Sequence, residues 1–276
     1  MPPTQEQKAA RFRELHQGRP FIIPNPWDAG SARVLEALGF EALATTSSGF
    51  AFTLGRMDGG ATADEVMEHV RTLSEASSLP LSVDLENGYG PTPADAAAAI
   101  SRVAAAGAVG GSIEDWDPRG EIYDRDHATE RVAAAAEAAG AVGFPFTLTA
   151  RAENHIRGNP DLDDTVARLQ AYERAGADVL YAPGLRDADE IRAVTAAVSR
   201  PVNVLARARL SMDEIVAAGA QRISLGGALA WVAVGAMAAA AREMRAAGDF
   251  SSLGVRVPIA EWLGDPGQSS PRRAAP

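Results

Sequence analysis

The chain of 276 residues contains no cysteine. Disulfide bonds, zinc–thiolate sites and any mechanism with a cysteine nucleophile or acid are therefore excluded. Basic residues are also in deficit, with 26 Lys and Arg against 36 Asp and Glu and a formal net charge of −10. This balance argues against a broad nucleic-acid surface, and an anionic ligand would need a local cation or a metal ion.

Long apolar segments are lacking as well. Residues 1–17 are polar and carry no apolar stretch of the kind found in secretory signals. The alanine-rich stretch 228–247 contains Arg242, Glu243 and Arg245, so it is predicted to be a packed helix rather than a membrane span. These features predict a cytoplasmic protein with neither a nucleic-acid nor a membrane partner.

Short apolar runs alternate with longer segments of helical period. The runs are residues 21–26, 42–47, 81–85, 111–113, 146–150, 179–182, 202–206 and 222–225. The helical segments are residues 62–77, 93–106, 126–139, 162–175, 188–198, 211–218 and 229–247. Near-continuous apolar strands are typical of a parallel sheet covered by helices.

Eight such strands, with seven helical segments following them along the chain, predict an α/β fold of the closed (β/α)8 TIM-barrel type. A doubly wound open sheet would be expected to carry a glycine-rich phosphate loop after an early strand. The first apolar run is instead followed by Trp27-Asp28-Ala29-Gly30. We expect the barrel to span residues 1–255 and residues 256–276 to form a partly disordered extension.

Carboxylates concentrate at the predicted strand ends, where barrels place their chemistry. Asp84 and Glu86 are two residues apart, so both side chains can point to the same face, and Glu114 ends the next strand. Three close carboxylates repel one another unless a cation lies among them, and Mg²⁺ is the preferred occupant, with Mn²⁺ as the other candidate. The alternative is that these acids cap helices or pair with arginines at the rim.

Several segments, in chain order, resemble the signatures of the isocitrate lyase and phosphoenolpyruvate mutase superfamily. They are PNPWDAGSA at 24–32, LGRMD at 54–58, VDLENGYG at 83–90, GGSIED at 110–115 and TARAE at 149–153. The resemblance runs from about residue 21 to residue 227. It implies a Mg²⁺-dependent TIM barrel, and in this superfamily the last barrel helix is commonly exchanged between subunits of a homotetramer.

The resemblance also implies roles for individual residues. Asp84 matches the acid that binds Mg²⁺ most directly, Glu86 stands where a second aspartate is more usual, and Glu114 and Asp58 match acids that hold metal-bound water. Arg151 matches the arginine that contacts the substrate carboxylate or its 2-oxygen. The other predicted substrate-binding residues are Trp27, Thr46, Ser47, Ser48, Gly49, Tyr181 and Asn203.

The loop after the fourth strand departs from the superfamily pattern. The isocitrate-type lyases carry a Lys-Lys-Cys-Gly-His stretch there, with cysteine as the acid, and the mutase and phosphonopyruvate hydrolase use a lysine and an asparagine. Residues 114–123 read EDWDPRGEIY and contain no lysine, cysteine or asparagine. We therefore take Glu121 and Tyr123 as the catalytic proton-transfer candidates of this loop, beside Arg151 and Asp58.

The predicted function is Mg²⁺-dependent cleavage of a C–C bond in a small 2-oxo or 2-hydroxy di- or tricarboxylate. A developing enolate or alkoxide would be stabilised by the metal and Arg151. Two alternatives stay open: P–C chemistry of the phosphonomutase or phosphonopyruvate hydrolase type, and a catalytically weak binder of 2-oxo acids. The protein is expected to form a homo-oligomer, a dimer or a tetramer.

Overall fold

The computed structural model describes residues 2–264. The strands are β1 (Phe21–Ile23), β2 (Leu43–Ala44), β3 (Leu81–Asp84), β4 (Gly110–Glu114), β5 (Trp116–Asp117), β6 (Glu121–Ile122), β7 (Thr147–Arg151), β8 (Val179–Tyr181), β9 (Val202–Leu205) and β10 (Arg222–Ser224). The helices are α1 (Gln5–Leu15), α2 (Ala29–Ala37), α3 (Ser47–Thr53), α4 (Ala63–Ala76), α5 (Pro93–Ala105), α6 (Arg125–Ala141), α7 (Leu162–Arg174), α8 (Ala188–Ala197), α9 (Met212–Ala217), α10 (Ala228–Ala247) and α11 (Ile259–Leu263). A 3₁₀ turn covers Ser251–Gly254.

Eight parallel strands follow one another in the order β1-β10-β9-β8-β7-β4-β3-β2. The two edge strands meet at the seam, where the Ala44 amide donates to the Pro24 carbonyl at 3.0 Å. The Asn25 side chain also donates to the Thr45 carbonyl at 2.9 Å. The sheet is therefore a nearly closed barrel surrounded by helices, which confirms the predicted (β/α)8 fold.

All eight predicted strands and all seven predicted helices are present, with ends shifted by a few residues. The helix starts follow local capping chemistry: Thr62 pairs with Glu65 and Ser211 with Glu214 in reciprocal capping boxes. The prediction was wrong at Ser47, which begins α3 instead of ending a strand. Thr46 accepts a hydrogen bond from the Gly49 amide at 3.3 Å, and this cap turns the chain into a helix directly after the short β2.

The two faces of the barrel strands differ in character. Apolar residues on the outward face, such as Val83, Leu148 and Val204, are buried against the helices in the main hydrophobic core. Because side chains alternate along a strand, the residues between them point to the barrel axis. These include Ser82, Thr149 and Asn203, so the interior is polar and leaves room for a cavity.

The C-terminal helices lie at the surface of the single chain. Helix α10 exposes large apolar side chains, including Trp231, Val232 and Met237. Exchange of this helix and homo-oligomer formation stay predictions, and a monomer in light scattering would contradict both.

Helix α11 packs back on α2, with Arg33 donating to the Gly264 carbonyl at 2.7 Å. Residues 265–276 of the predicted extension lie outside the described residues. Within residues 2–264, no helix combines the length and apolar character needed to cross a membrane.

Candidate active site

A cavity of about 180 Å³ lies at the carboxyl ends of the strands. Its lining includes Thr46, Ser47, Ser48, Asp58, Asp84, Ser112, Arg151, Tyr181, Asn203, Arg222 and Ser224. A larger hollow of about 620 Å³, lined by residues such as Arg13, His16 and Glu173, lies at the opposite end of the barrel. We take the smaller cavity as the candidate site because TIM-barrel chemistry is located at the carboxyl ends of the strands.

Arg151 is the centre of an ion-pair network at the end of β7. Its guanidinium lies 2.7 Å from Asp84, 2.8 Å from Glu114 and 2.9 Å from Glu153. Burial alone would lower the pKa of this arginine, but the three carboxylates raise it well above its usual value. One cation thus serves three acids, and negative charge is in excess around it.

Asp84 is held from several directions at the end of β3. One carboxylate oxygen is 3.3 Å from the Ser47 amide, and the other is 3.3 Å from the Glu86 amide. Its own amide donates to the Thr45 hydroxyl at 2.9 Å. These contacts, together with Arg151, orient the carboxylate towards the cavity that it lines.

The loop after Asp84 is strained but well anchored. Glu86 and Tyr89 have φ angles of 50° and 61°, in the left-handed region that residues other than glycine seldom adopt. Buried Arg131 donates to the carbonyls of Gly90 at 2.8 Å and Thr92 at 3.0 Å, and it also contacts the Asn87 carbonyl. The surrounding contacts therefore fix a conformation that an isolated loop would disfavour, as is common at functional sites.

Like charges meet at the mouth of the cavity. Burial, together with the neighbouring charges of Asp84 and Asp58, raises the pKa of Glu86 to about 7. Burial also raises the pKa of Glu114 well above its usual value, against the attraction of Arg151. A region where carboxylates disfavour one another's ionised forms suits a bound cation.

The donor set fits Mg²⁺ rather than an ion held in a closed protein cage. Within residues 2–264, no three His, Asp or Glu side chains are arranged as a ready metal-ligand set. The predicted cluster of Asp84, Glu86 and Glu114 is thus not preformed, because Arg151 lies between Asp84 and Glu114. Mg²⁺ commonly binds through one or two carboxylates and keeps several waters. Asp84 is the acid that could contact such an ion directly, and Asp58 and Glu86 are the neighbouring acids that could hold its bound water.

Glu86 supplies a pH-dependent test of this charge excess. Its carboxyl group stabilises the fold when protonated, fully so below about pH 4.5, and this stability is lost as the pH rises through about 7. In metal-free protein, Glu86→Gln is therefore expected to raise the free energy of unfolding by roughly 1–3 kcal/mol near pH 8 and to change it little near pH 4.5. Urea unfolding of the wild type and the variant in EDTA at both pH values measures this effect. Added Mg²⁺ should reduce the stability difference between the two proteins near pH 8. If the variant were no more stable than the wild type at either pH, the charge excess would be contradicted.

The predicted substrate-binding residues fall into two groups. Thr46, Ser47, Ser48, Asp84, Arg151, Tyr181 and Asn203 all line the cavity, as does Asp58. Trp27 and Gly49 do not line it but pack together beside it. A Cβ atom on Gly49 would lie 2.6 Å from the Thr46 methyl and 3.1 Å from the Trp27 Cβ, so glycine is needed for this close approach.

The structure does not bring Glu121 and Tyr123 to the cavity. Glu121 is exposed on the antiparallel β5–β6 hairpin, which stands outside the barrel. Tyr123 is buried in the core, where its hydroxyl accepts a hydrogen bond from Asn87 at 3.2 Å and Arg131 lies 4.8 Å from its ring centre. The physical reason is packing: the residues after the hairpin fold back to begin α6, which draws Tyr123 away from the strand ends.

Sequence reasoning missed three charged residues around the site. Arg157 lies 3.5 Å from Glu114 and 4.4 Å from the Trp116 ring centre, and it joins the hairpin to the loop after β7. Glu153, fully buried behind Arg151, was noted only as part of a motif. Arg222 lines the cavity from β10. An arginine at the start of a buried apolar strand is the signal that could have identified it.

A nearly closed (β/α)8 barrel with acidic residues and an arginine at its carboxyl-end cavity places the chain in the broad class of TIM-barrel proteins with a charged, acid-rich site. Within that class, the chain belongs to the phosphoenolpyruvate phosphomutase family, whose family model matches residues 12–245. It thus lies in the phosphoenolpyruvate mutase and isocitrate lyase superfamily.

Similar proteins include lyases. An oxaloacetate decarboxylase of Bradyrhizobium diazoefficiens is 32% identical over 79% of this chain and 77% of its own length. A 2-methylisocitrate lyase of Halalkalibacterium halodurans is 28% identical over 73% of this chain and 68% of its own. A solved structure from Burkholderia cenocepacia, provisionally named a lyase/mutase, is 54% identical with a TM-score of 0.92 and covers 95% of this chain and 97% of its own.

Proposed function

We propose that the protein is a Mg²⁺-dependent lyase that cleaves a C–C bond in a small 2-oxo or 2-hydroxy dicarboxylate. The observation that carries this proposal is the contact of 2.7 Å between Arg151 and Asp84 at the wall of the cavity. It pairs a candidate metal ligand with a planar cation that can bind a carboxylate or its adjacent oxygen. The similarity to an oxaloacetate decarboxylase and a 2-methylisocitrate lyase supports the same reaction type.

The side chains that line the cavity can each take a different role in such a reaction. Mg²⁺, when bound beside Asp84, would supply positive charge against the negative charge that develops on the 2-oxygen. Arg151 holds a second positive charge at a fixed position. Thr46, Ser47 and Ser48 line the wall with hydroxyl groups that can orient a carboxylate. Burial raises the pKa of Tyr181 to about 12, so its hydroxyl keeps its proton and acts as a hydrogen-bond donor.

The size of the cavity favours a short substrate. Its volume of about 180 Å³ is below the range of roughly 300–1,000 Å³ that is usual for sites of drug-sized ligands. Hydroxyl, amide, carboxylate and guanidinium side chains line it from several strands, which suits a small acid with few carbon atoms. A four-carbon acid of the oxaloacetate type is therefore favoured over the larger tricarboxylates.

P–C chemistry is the second candidate. A solved structure from Burkholderia cenocepacia, provisionally named a phosphonomutase, is 39% identical with a TM-score of 0.82 and covers 87% of this chain and 99% of its own. Against this candidate, residues 114–123 contain neither lysine nor asparagine. We therefore rank it below the lyase.

One set of assays separates the candidates. Purified protein would be incubated with oxaloacetate, isocitrate, 2-methylisocitrate or phosphonopyruvate in Mg²⁺, in Mn²⁺ and in EDTA. Protein-dependent, EDTA-sensitive pyruvate or another short oxo acid from a carbon substrate is the expected result. Phosphate release from phosphonopyruvate alone would establish the second candidate. Binding of a 2-oxo acid without any turnover would show a binder and contradict the lyase.

A further inference from the structure

Arg222 is a buried cation in the interior of the barrel. It begins β10, is 5% exposed and points its side chain across the barrel axis. Its guanidinium donates to the Asn203 side-chain oxygen at 2.8 Å and to the Thr149 hydroxyl at 3.0 Å, and it lies 3.2 Å from His16 Nε2. All three partners are neutral side chains, because burial and the charge of Arg222 together lower the pKa of His16 to about 3.

The charge of Arg222 is not balanced by an acid in the part of the chain that the structure describes. No Asp or Glu of residues 2–264 lies within 4.0 Å of its nitrogens. The buried Arg151 and Arg168 differ, since each is paired with carboxylates. Burial lowers the pKa of Arg222 to about 10, which still leaves it charged at neutral pH. A buried charge without a counter-charge is costly, so a fold that retains one has a use for it or a ligand that balances it.

The position of Arg222 connects this charge to the cavity. Arg222, Asn203 and Ser224 all line the cavity. The bond from Arg222 fixes the Asn203 amide so that its nitrogen donates to the Ser224 hydroxyl at 2.9 Å. The cavity therefore has Asp84 and Arg151 in one part of its wall and an uncompensated cation with fixed dipoles in another.

We propose that Arg222 is a specificity-determining residue, whose unpaired charge favours ligands with two negative charges over ligands with one. The inference rests on the proposed function, since it assumes that an oxo acid or its analogue occupies this cavity. One negative group of such a ligand would be held by Arg151 and by a cation beside Asp84. The positive charge of Arg222 would attract the second negative group of the same ligand. In a low-dielectric interior, a charge acts over several ångströms without direct contact.

His16 offers a way to neutralise Arg222 without altering the cavity wall. It contacts Arg222 from the side of the opposite hollow, which it lines, and it does not line the cavity. His16→Glu would give Arg222 a carboxylate partner, and His16→Gln is the matched neutral control. Oxalate, a dianion, and pyruvate, a monoanion of similar size, are the probes, and calorimetry in saturating Mg²⁺ measures their affinities.

The expected result is a loss of affinity for oxalate that is larger than the loss of affinity for pyruvate. His16→Glu should weaken oxalate binding about tenfold or more and pyruvate binding about threefold or less, while His16→Gln changes both by less than about threefold. Arg222→Met removes the same charge by a second route and should lower the oxalate-to-pyruvate preference in the same way. Thermal unfolding of each variant checks that it is folded.

Three outcomes would overturn the inference, and they are distinguishable. If the wild type binds both probes and a folded charge-removing variant keeps the wild-type preference for oxalate, Arg222 does not set specificity and the proposed function is unaffected. If the wild type binds neither probe, the proposed function fails and this inference fails with it. An equal loss for both probes would show a structural role for Arg222 and also overturn the inference.

Discussion

Replacing Arg151 with methionine is expected to lower the free energy of unfolding by about 3–5 kcal/mol near pH 8 and to abolish turnover. The substitution removes the only guanidinium that contacts Asp84, Glu114 and Glu153 together within residues 2–264. Glu114 and Glu153 are 8% and 0% exposed, so each would be left as a buried carboxylate with only the partly exposed Arg157, at 3.5 and 3.4 Å, as a charged partner.

The loss of stability in Arg151→Met should increase as the pH rises. Burial already raises the pKa of Glu114 and of Glu153, and removal of Arg151 raises both further. Acids with raised folded-state pKa values stabilise the fold when protonated, and this stability is lost as the pH rises above their unfolded values. The free energy of unfolding that Arg151→Met loses relative to the wild type should therefore be smaller near pH 5 than near pH 8. Urea unfolding at the two pH values measures it.

Two matched variants separate charge from geometry. Arg157→Met removes a nearby cation whose side chain is 33% exposed and 3.5 Å from Glu114, and it should cost less than about 1 kcal/mol. Arg151→Lys keeps a charge but loses the planar fork, so it should recover part of the stability without recovering turnover. An Arg151→Met protein as stable as the wild type at both pH values would contradict the network described here.

Much of the fold could be predicted because its signals are local. Apolar runs, helical periodicity and capping pairs such as Ser211 with Glu214 act within a few residues, and each indicated an element that the structure confirms. Helices α1, α2, α3 and α11 were not predicted. Asp28 caps the start of helix α2 and forms a capping box with Ser31, but the glycine and serine in the first turn have weak helix propensity. Helix α3 was hidden in an apparent strand, where the cap at Thr46 prevails over the β-like composition.

The candidate site could be predicted only for residues at the carboxyl ends of the parallel strands. Asp84 and Arg151 end strands that are separated by β4 alone, so their proximity follows from strand order. The direction of the β5–β6 hairpin depends on tertiary packing, including the contact of Trp116 with Arg157, which no local pattern contains. The role of Arg222 depends on closure of the barrel, since its partners His16, Thr149 and Asn203 come from three distant parts of the chain.

Replacement of Asp84 by asparagine is expected to lower turnover by about 10³-fold or more and to weaken Mg²⁺ binding strongly. Asparagine keeps the shape of the side chain but removes the charge that faces both the cavity and Arg151. The fold should tolerate the change, because Arg151 retains Glu114 and Glu153 as partners. Loss of activity with near-normal thermal stability would therefore place Asp84 in the chemistry rather than in the scaffold.

A matched control is Asp187→Asn, which makes the same chemical change on the loop after β8. The Asp187 side chain caps α8 through the amides of Asp189 and Glu190, both at 3.0 Å, and asparagine is an equally good cap. This variant should keep turnover within about twofold of wild type. Steady-state rates at several Mg²⁺ concentrations and calorimetric Mg²⁺ titrations compare the two variants. Asp84→Asn turnover equal to that of Asp187→Asn would remove Asp84 from the site. Because Asp84 is the proposed direct ligand of Mg²⁺, this outcome would also contradict the proposed Mg²⁺-dependent mechanism.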